Sequence, residues 1–157
     1  MTAPTSRLRA ARLADVPQLL SMMRMFNRAE GIAFRRARVA PALRRLLRQP
    51  RLGMVVVAEH LVRKRLIGYA VGTLGFDLEF GGPDGFVTEL FVRPAHRGGG
   101  HGARLLAVLA QRMRAAGAGA LTLLVWPENR IARRLYARAG FKEVRRTAMV
   151  RVLEAAR

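Results

Sequence analysis

The chain has 157 residues, 51% of them hydrophobic, enough for one ordinary domain around one continuous core, and a single domain over 1–157 is expected. Cysteine is absent, which excludes disulfide staples, thiolate zinc sites and a cysteine nucleophile; three scattered histidines make poor ligands, so no metal is expected. A formal net charge of +19 asks for an anionic partner: nucleic acid, anionic lipid or a phosphate-rich ligand.

Taken in chain order, "MTAPTSRLRAARLADV" has no apolar signal core, and no later run nears the roughly 20 apolar residues of a membrane span, so a soluble cytoplasmic protein is expected, without a membrane partner. "SRLRAAR" reads as a short strand. "ADVPQLLSMMRMFNRAEG" reads as a helix capped by Asp15, with Pro17 in its first turn and Gly31 past its end. A second helix is expected near 40–49, between Val39 and Pro50. "MVVVAE" (54–59), "LIGYAVGTLGF" (66–76) and "GFVTELFV" (85–92) are β-branched or aromatic runs, hence three strands. "GARLLAVLAQRMRAAG" has apolar residues at 105, 106, 109 and 113, the helical period, and closes on Gly117 and Gly119. "ALTLLVW" reads as a central strand, "ENRIARRLYARAG" as a helix stopped by Gly140, and "FKEVRRTAMVRV" (141–152) as a final strand.

Charge is unevenly placed along this order. Arginine supplies nearly all the positive charge, with lysine only at Lys64 and Lys142. "FRRARVAPALRRLLRQPR" sets arginines around a helical apolar pattern, which reads as a solvated face or as a nucleic-acid surface. No groove-reading motif or aromatic RNA platform accompanies it, so nucleic acid is a conceivable partner and not the expected one. Asp77, Glu79, Asp84 and Glu89 form one acidic window in "DLEFGGPDGFVTE". Two readings stand for it: a receptor for a cationic substrate, or a polar hairpin loop, since "GGPDG" is ordinary turn composition.

Directly after a strand, "RGGGHG" (97–102) opens a helix. A strand feeding a glycine-rich turn at a helix start gathers unpaired backbone N–H groups and the positive end of a helix dipole at one point, which is an anion site. Glycine suits it because a side chain would hold a phosphate off the backbone and because such turns visit positive φ. The loop lacks the lysine and hydroxyl of an NTPase phosphate loop, and its spacing is not GxGxxG.

Arg97-Gly98-Gly99-Gly100-His101-Gly102 resembles the R/Q-x-x-G-x-G/A signature of the GNAT superfamily of acyl-CoA-dependent N-acetyltransferases, preceded by a typical strand ending in "LFVRP". "ENRIARRLYARAGF" is similar to that family's N-x-x-A-x-x-x-Y-x-x-x-G-F element. The resemblance is strong over 86–145 and elsewhere rests on element order and the "DVPQLL" first helix. It implies an α/β (α+β) fold: a mixed, mainly antiparallel sheet of six to seven strands, splayed at its centre and flanked by about four helices. It also implies acetyl-CoA as co-substrate, its pyrophosphate cradled by Arg97 and the backbone of Gly98, Gly99, Gly100, His101, Gly102 and Ala103. The pantetheine arm would insert between residues 89–93 and 121–126, with a backbone N–H among Leu90, Phe91 and Val92 holding the thioester oxygen. His101 stands where the family is usually apolar and receives no catalytic role.

By the same resemblance Tyr136 is the general acid toward the departing thiolate; its structural alternative is a core aromatic at helical spacing. Asn129, seven residues earlier and roughly 10 Å along the same helix face, would cap the helix and touch the cofactor arm. Arg133, with Arg130 and Arg134, could reach the adenosine 3′-phosphate, or stand as solvated surface. Transfer to an amine needs the amine unprotonated, and Glu89 is the candidate base; it could equally be a strand-surface residue, or water could serve. Asp77, Glu79 and Asp84 would draw a cationic amine, with Phe76, Phe80 or Phe86 as a wall. The expected activity is direct acetyl transfer to a primary amine, small or on a protein, with a homodimer conceivable. Against it stands a non-catalytic acyl-CoA binder, or a nucleic-acid-associated basic protein, on the same fold.

Overall fold

The structure is a computed structural model and describes residues 6–153. Five strands are ordered β1-β2-β3-β4-β5: β1 Ser6–Ala10, β2 Gly53–His60, β3 Leu66–Asp77, β4 Gly82–Val92 and β5 Leu121–Leu123. The first four run antiparallel to their neighbours, and β5 lies parallel to β4. The helices are α1 Val16–Ala29, α2 Arg36–Arg48, α3 His101–Ala115 and α4 Arg130–Arg138.

The middle strands are apolar on both faces because both faces are covered. Val55 and Val57 of β2 join α1, α2, Tyr69, Val71 and Phe91 in one cluster, while Val56 and Ala58 join α3 in the other. This is the period-2 alternation of a strand applied to two cores. In α1 the inward residues Val16, Leu19, Leu20 and Met23 follow helical spacing, and Gly31 at φ +69 ends the run. In α3, Leu105, Leu106, Leu109 and Met113 are fully buried, each contributing about 2 kcal/mol.

Asp15 precedes α1 but does not cap it with its side chain. Its carboxylate instead accepts the Arg12 N–H at 2.7 Å and both terminal nitrogens of Arg9 at 2.7 and 2.9 Å. Arg9 also donates to Glu59, which ties β1 to β2 and to the start of α1. The second helix begins at Arg36, four residues before the expected start. Pro41 therefore stands inside it; proline lacks the donor for the i−4 carbonyl, that of Ala37, so the helix forms without that one bond.

Two strand expectations are corrected. The "ALTLLVW" run is not a central strand: β5 is three residues long and lies at the edge of the sheet among the described residues. The final strand over 141–152 does not form, so the described sheet has five strands and not six to seven. Val144, Met149, Val150 and Val152 are all exposed, so no apolar face of that segment meets a core. Its charges turn instead to neighbouring elements, Glu143 to Arg133 of α4 and Arg146 to Glu79 of the β3–β4 turn.

Candidate active site at the splayed strands

β4 and β5 pair only over Gly85↔Leu121, Phe86↔Thr122 and Val87↔Leu123. Past Val87, β4 continues to Val92 while the other strand leaves it, which opens a cleft between them. The separation begins at a β-bulge. Val71 of β3 faces Glu89 and Gly72 faces Val87, so Thr88 is the extra residue. Val87 packs on the α3 side, whereas Phe91, two residues beyond Glu89, packs on the α1 side. The inserted Thr88 thus turns Glu89 to the face opposite Val87, although simple alternation would put them together.

Glu89 accepts the Tyr69 hydroxyl hydrogen at 2.5 Å. Burial raises the Glu89 carboxyl above its ordinary value, and the Tyr69 hydrogen bond opposes that rise. Burial raises Tyr69 much further, with the Glu89 charge adding to it, so its phenol stays protonated and holds the carboxylate as a donor. Tyr136 lines the same cleft, its ring edge-on to Phe141 at 5.9 Å. Burial and then the charge of Glu30 raise its hydroxyl, which keeps the proton available for donation. Asn129 also lines the cleft, and its Oδ1 accepts the Ala132 N–H at 3.1 Å, capping α4.

Backbone direction can be followed along the end of β4. The Arg93 N–H donates to the Ile67 carbonyl at 2.8 Å, toward β3. Alternation then turns Val92 and Leu90 the other way, toward the cleft, and leaves Phe91 facing β3. In agreement, the Val92 carbonyl accepts from Arg97 Nε at 3.0 Å.

At the end of β4 the glycine loop leads into α3. Gly98 and Gly100 have φ of +82 and +73, and no atom lies within 4 Å of where a side chain would begin at either. The loop backbone is thus left-handed and open to solvent. Arg104 makes the helix's first return bond, to the Gly100 carbonyl at 3.1 Å, so the N–H groups of His101, Gly102 and Ala103 have no helical carbonyl to meet. At Gly102 a Cβ would come 3.2 Å from Leu135 Cδ1, so glycine there lets α3 and α4 approach. His101 turns inward, with Nδ1 3.1 Å from Ser6 Oγ, and burial lowers its pKa. The Arg97 guanidinium lies 5.7 Å from the Phe91 ring centroid, beside the loop.

Several expected residues lie elsewhere. Asp77 ends β3, Glu79 and Phe80 are in the turn and Asp84 starts β4, so the acidic window is a hairpin tip. Asp84 and Glu89 are five residues apart, about 17 Å of strand, on either side of the segment paired with β5. Asp77, Glu79, Phe80 and Asp84 do not line the cleft, whereas Glu89 does, and Glu79 is bonded to Arg146. Phe76 is largely exposed on the same hairpin. Arg133 bonds Glu143 and the Pro127 carbonyl, and Arg134 Nε bonds the Arg130 carbonyl.

Sequence reasoning missed Tyr69, Phe26, Glu30 and Trp126. Trp126 Nε1 donates to Glu30 Oε2 at 2.7 Å, joining the chain after β5 to the end of α1 beside the cleft. Tyr69 carried one signal, a phenol inside an otherwise apolar strand.

Comparisons with known proteins agree with this geometry. The sequence model of the Acetyltransferase (GNAT) family matches residues 19–141. A mycothiol acetyltransferase of Kineococcus radiotolerans is 40% identical over 92 residues, 55% of this chain and 28% of that protein, so the chain spans under a third of that relative's length. An integron cassette protein, HFX_CASS3, from the mobile metagenome of Cole Harbour Salt Marsh is 34% identical, with TM-score 0.82 over 95% of this chain and 91% of that one. The structure of a probable acetyltransferase superposes with TM-score 0.83 over 95% and 99% at 17% identity, which speaks for the fold. With its glycine loop, its splayed strands and a family match over most of its length, the chain belongs to the GNAT family of acetyltransferases.

Proposed function

We propose that the protein is an N-acetyltransferase that moves an acetyl group from acetyl-CoA to a primary amine by direct attack in a ternary complex. One observation carries this reading. A single cleft bears a half-buried carboxylate and a phenol, Glu89 and Tyr136, and the strand that forms its wall leads, through one short turn at Pro94–His96, into a bare glycine loop.

The residues present fit the co-substrate. A phosphate could reach the backbone at Gly98 and Gly100, where no side chain intervenes, and meet the free N–H groups of His101, Gly102 and Ala103 at the positive end of α3. Arg97 stands beside this cradle. The cleft-facing backbone at Leu90 and Val92 offers N–H groups to an extended chain laid along β4, and to a carbonyl oxygen gaining charge. When bound, acetyl-CoA supplies a thioester carbon for the amine nitrogen to attack, with the C–S bond breaking as the C–N bond forms.

Glu89 takes a proton from the incoming ammonium, and its raised pKa makes it a better base than an exposed glutamate. Tyr69 holds that carboxylate in one orientation. Tyr136 donates its hydroxyl proton to the departing sulfur and is reprotonated, through solvent, by the proton that the new amide nitrogen sheds. Asn129 fixes the start of the helix that carries Tyr136.

Isothermal titration of acetyl-CoA, with Gly100→Glu as control, tests the cradle; release of CoA thiol in the presence of amines tests the transfer. Stoichiometric binding lost in the variant, followed by amine-dependent thiol release, is the expected result. A second reading, nucleic-acid association, is favoured by the exposed arginines 36, 38, 44, 45 and 48 of α2, which form no ion pair among the described residues. An affinity for DNA falling steeply with salt would support it.

A further inference from the structure

The cleft is unlike the rest of the molecule in charge. Its lining includes Glu30, Glu89, Phe26, Trp126 and Tyr136 and no lysine or arginine, in a chain with 29 basic and 10 acidic side chains. Of the other described acids, Asp15, Glu59, Glu79 and Glu143 each meet an arginine, while Asp77, Asp84 and Glu128 lie outside the cleft without a salt bridge among the described residues. Glu30 and Glu89 have no cationic partner among the described residues; their bonds are to the neutral donors Trp126 and Tyr69. A neutral donor orients a carboxylate and leaves its charge in place.

Glu89 already has a task at the reacting nitrogen. Glu30 touches no reacting atom in that scheme, although its charge helps to raise Tyr136, and it stands at the C-terminal end of α1 with one oxygen held by the Trp126 indole. Its other oxygen accepts no hydrogen bond among the described residues. Trp126 is 60% exposed, so an incoming group can reach the indole. A carboxylate beside accessible aromatic rings is the chemistry that selects an alkylammonium, through an ion pair and a cation–π contact.

We propose that the acceptor is a small amine bearing a second positive charge, with Glu30 and Trp126 holding the distal ammonium while the reacting amine sits at Glu89. The proposal rests on the acetyl-transfer reading and names its substrate class. It moves acceptor recognition from the acidic hairpin tip to the end of α1. A net charge of +19 repels such a substrate at long range, and two uncompensated carboxylates at the cleft reverse the local sign.

Trp126 is the only tryptophan of the chain, so its fluorescence reports on this spot. The experiment titrates 1,4-diaminobutane and butylamine into the full chain, with saturating CoA present, for the wild type, Glu30→Gln and the surface control Glu128→Gln. Glutamine keeps an acceptor for the indole and removes the charge. The expected result is a saturable response at least ten-fold tighter for the diamine, weakened about ten-fold by Glu30→Gln and unchanged by Glu128→Gln. Equal affinities for the two amines, no saturable response, or indifference to Glu30→Gln would overturn the proposal. Thiol release from acetyl-CoA is followed separately. Glu30-dependent diamine binding without release keeps the diamine site and removes the transfer reading; release indifferent to Glu30→Gln does the reverse.

Discussion

Tyr69 and Glu89 meet diagonally across β3 and β4, the phenol donating to the carboxylate at 2.5 Å. Their pairing sets a proton affinity. A base must be deprotonated to act, so kcat/KM should rise as pH climbs through the Glu89 pKa, which burial has raised and Tyr69 partly restrains. Tyr69→Phe removes the restraint, and the acidic limb of the profile should move to higher pH. A limb that stays in place would show that another group is titrating.

The same carboxylate bears on stability. Because the folded pKa of Glu89 lies above its ordinary 4.5, its contribution is fully present below that value and is lost as pH rises through the folded pKa. Glu89→Gln should therefore raise Tm at neutral pH while depressing turnover by about 100-fold. Calorimetry beside steady-state rates checks both; an unchanged rate would remove Glu89 from the chemistry.

Tyr136→Phe deletes one hydroxyl and keeps the ring against Phe141. The expected outcome is a kcat lower by about 100-fold with acetyl-CoA affinity nearly intact. Full activity in the variant would leave Tyr136 as a packing residue.

At Gly100, φ +73 and open space separate two effects. Gly100→Ala meets only backbone strain, about 1 kcal/mol, and should weaken acetyl-CoA modestly. Gly100→Glu adds a carboxylate where a phosphate is to sit and should abolish binding. Equal titration curves for the two would place the phosphates elsewhere.

Arg9 joins Asp15 and Glu59 near the first helix. Burial raises Asp15, but the Arg9 and Arg12 contacts outweigh it and lower its pKa; Arg7 and Arg9 lower Glu59. Both folded values lie below the ordinary 3.8 and 4.5, so this stability is present above those values and disappears as pH falls. Arg9→Met should cost about 2–3 kcal/mol at neutral pH and flatten the acid limb of a Tm–pH curve. A variant with wild-type Tm would contradict the clamp.

Local pattern made much of this legible. The spacing of Leu105, Leu106, Leu109 and Met113 marked α3 before any fold was known, and three β-branched runs marked β2 to β4. The glycine loop was readable because its chemistry is local. Three features were not. Glu30 and Trp126 are 96 residues apart, and no window of sequence joins them. The bulge at Thr88 is a property of pairing with β3, not of the run "FVTEL" itself. The 141–152 segment has strand composition, but a strand also needs a covered face, and its valines have none.

Thr88 gives β4 an odd residue out, and with it the site depends on counting as well as on chemistry. Were β4 to keep Thr88 but pair regularly with β3, every functional side chain would remain and yet Glu89 would return to the face shared by Val87 and α3. Such an enzyme would be silenced by parity alone. The bulge, and not only the side chains around the cleft, is thus what lets Glu89 meet Tyr69.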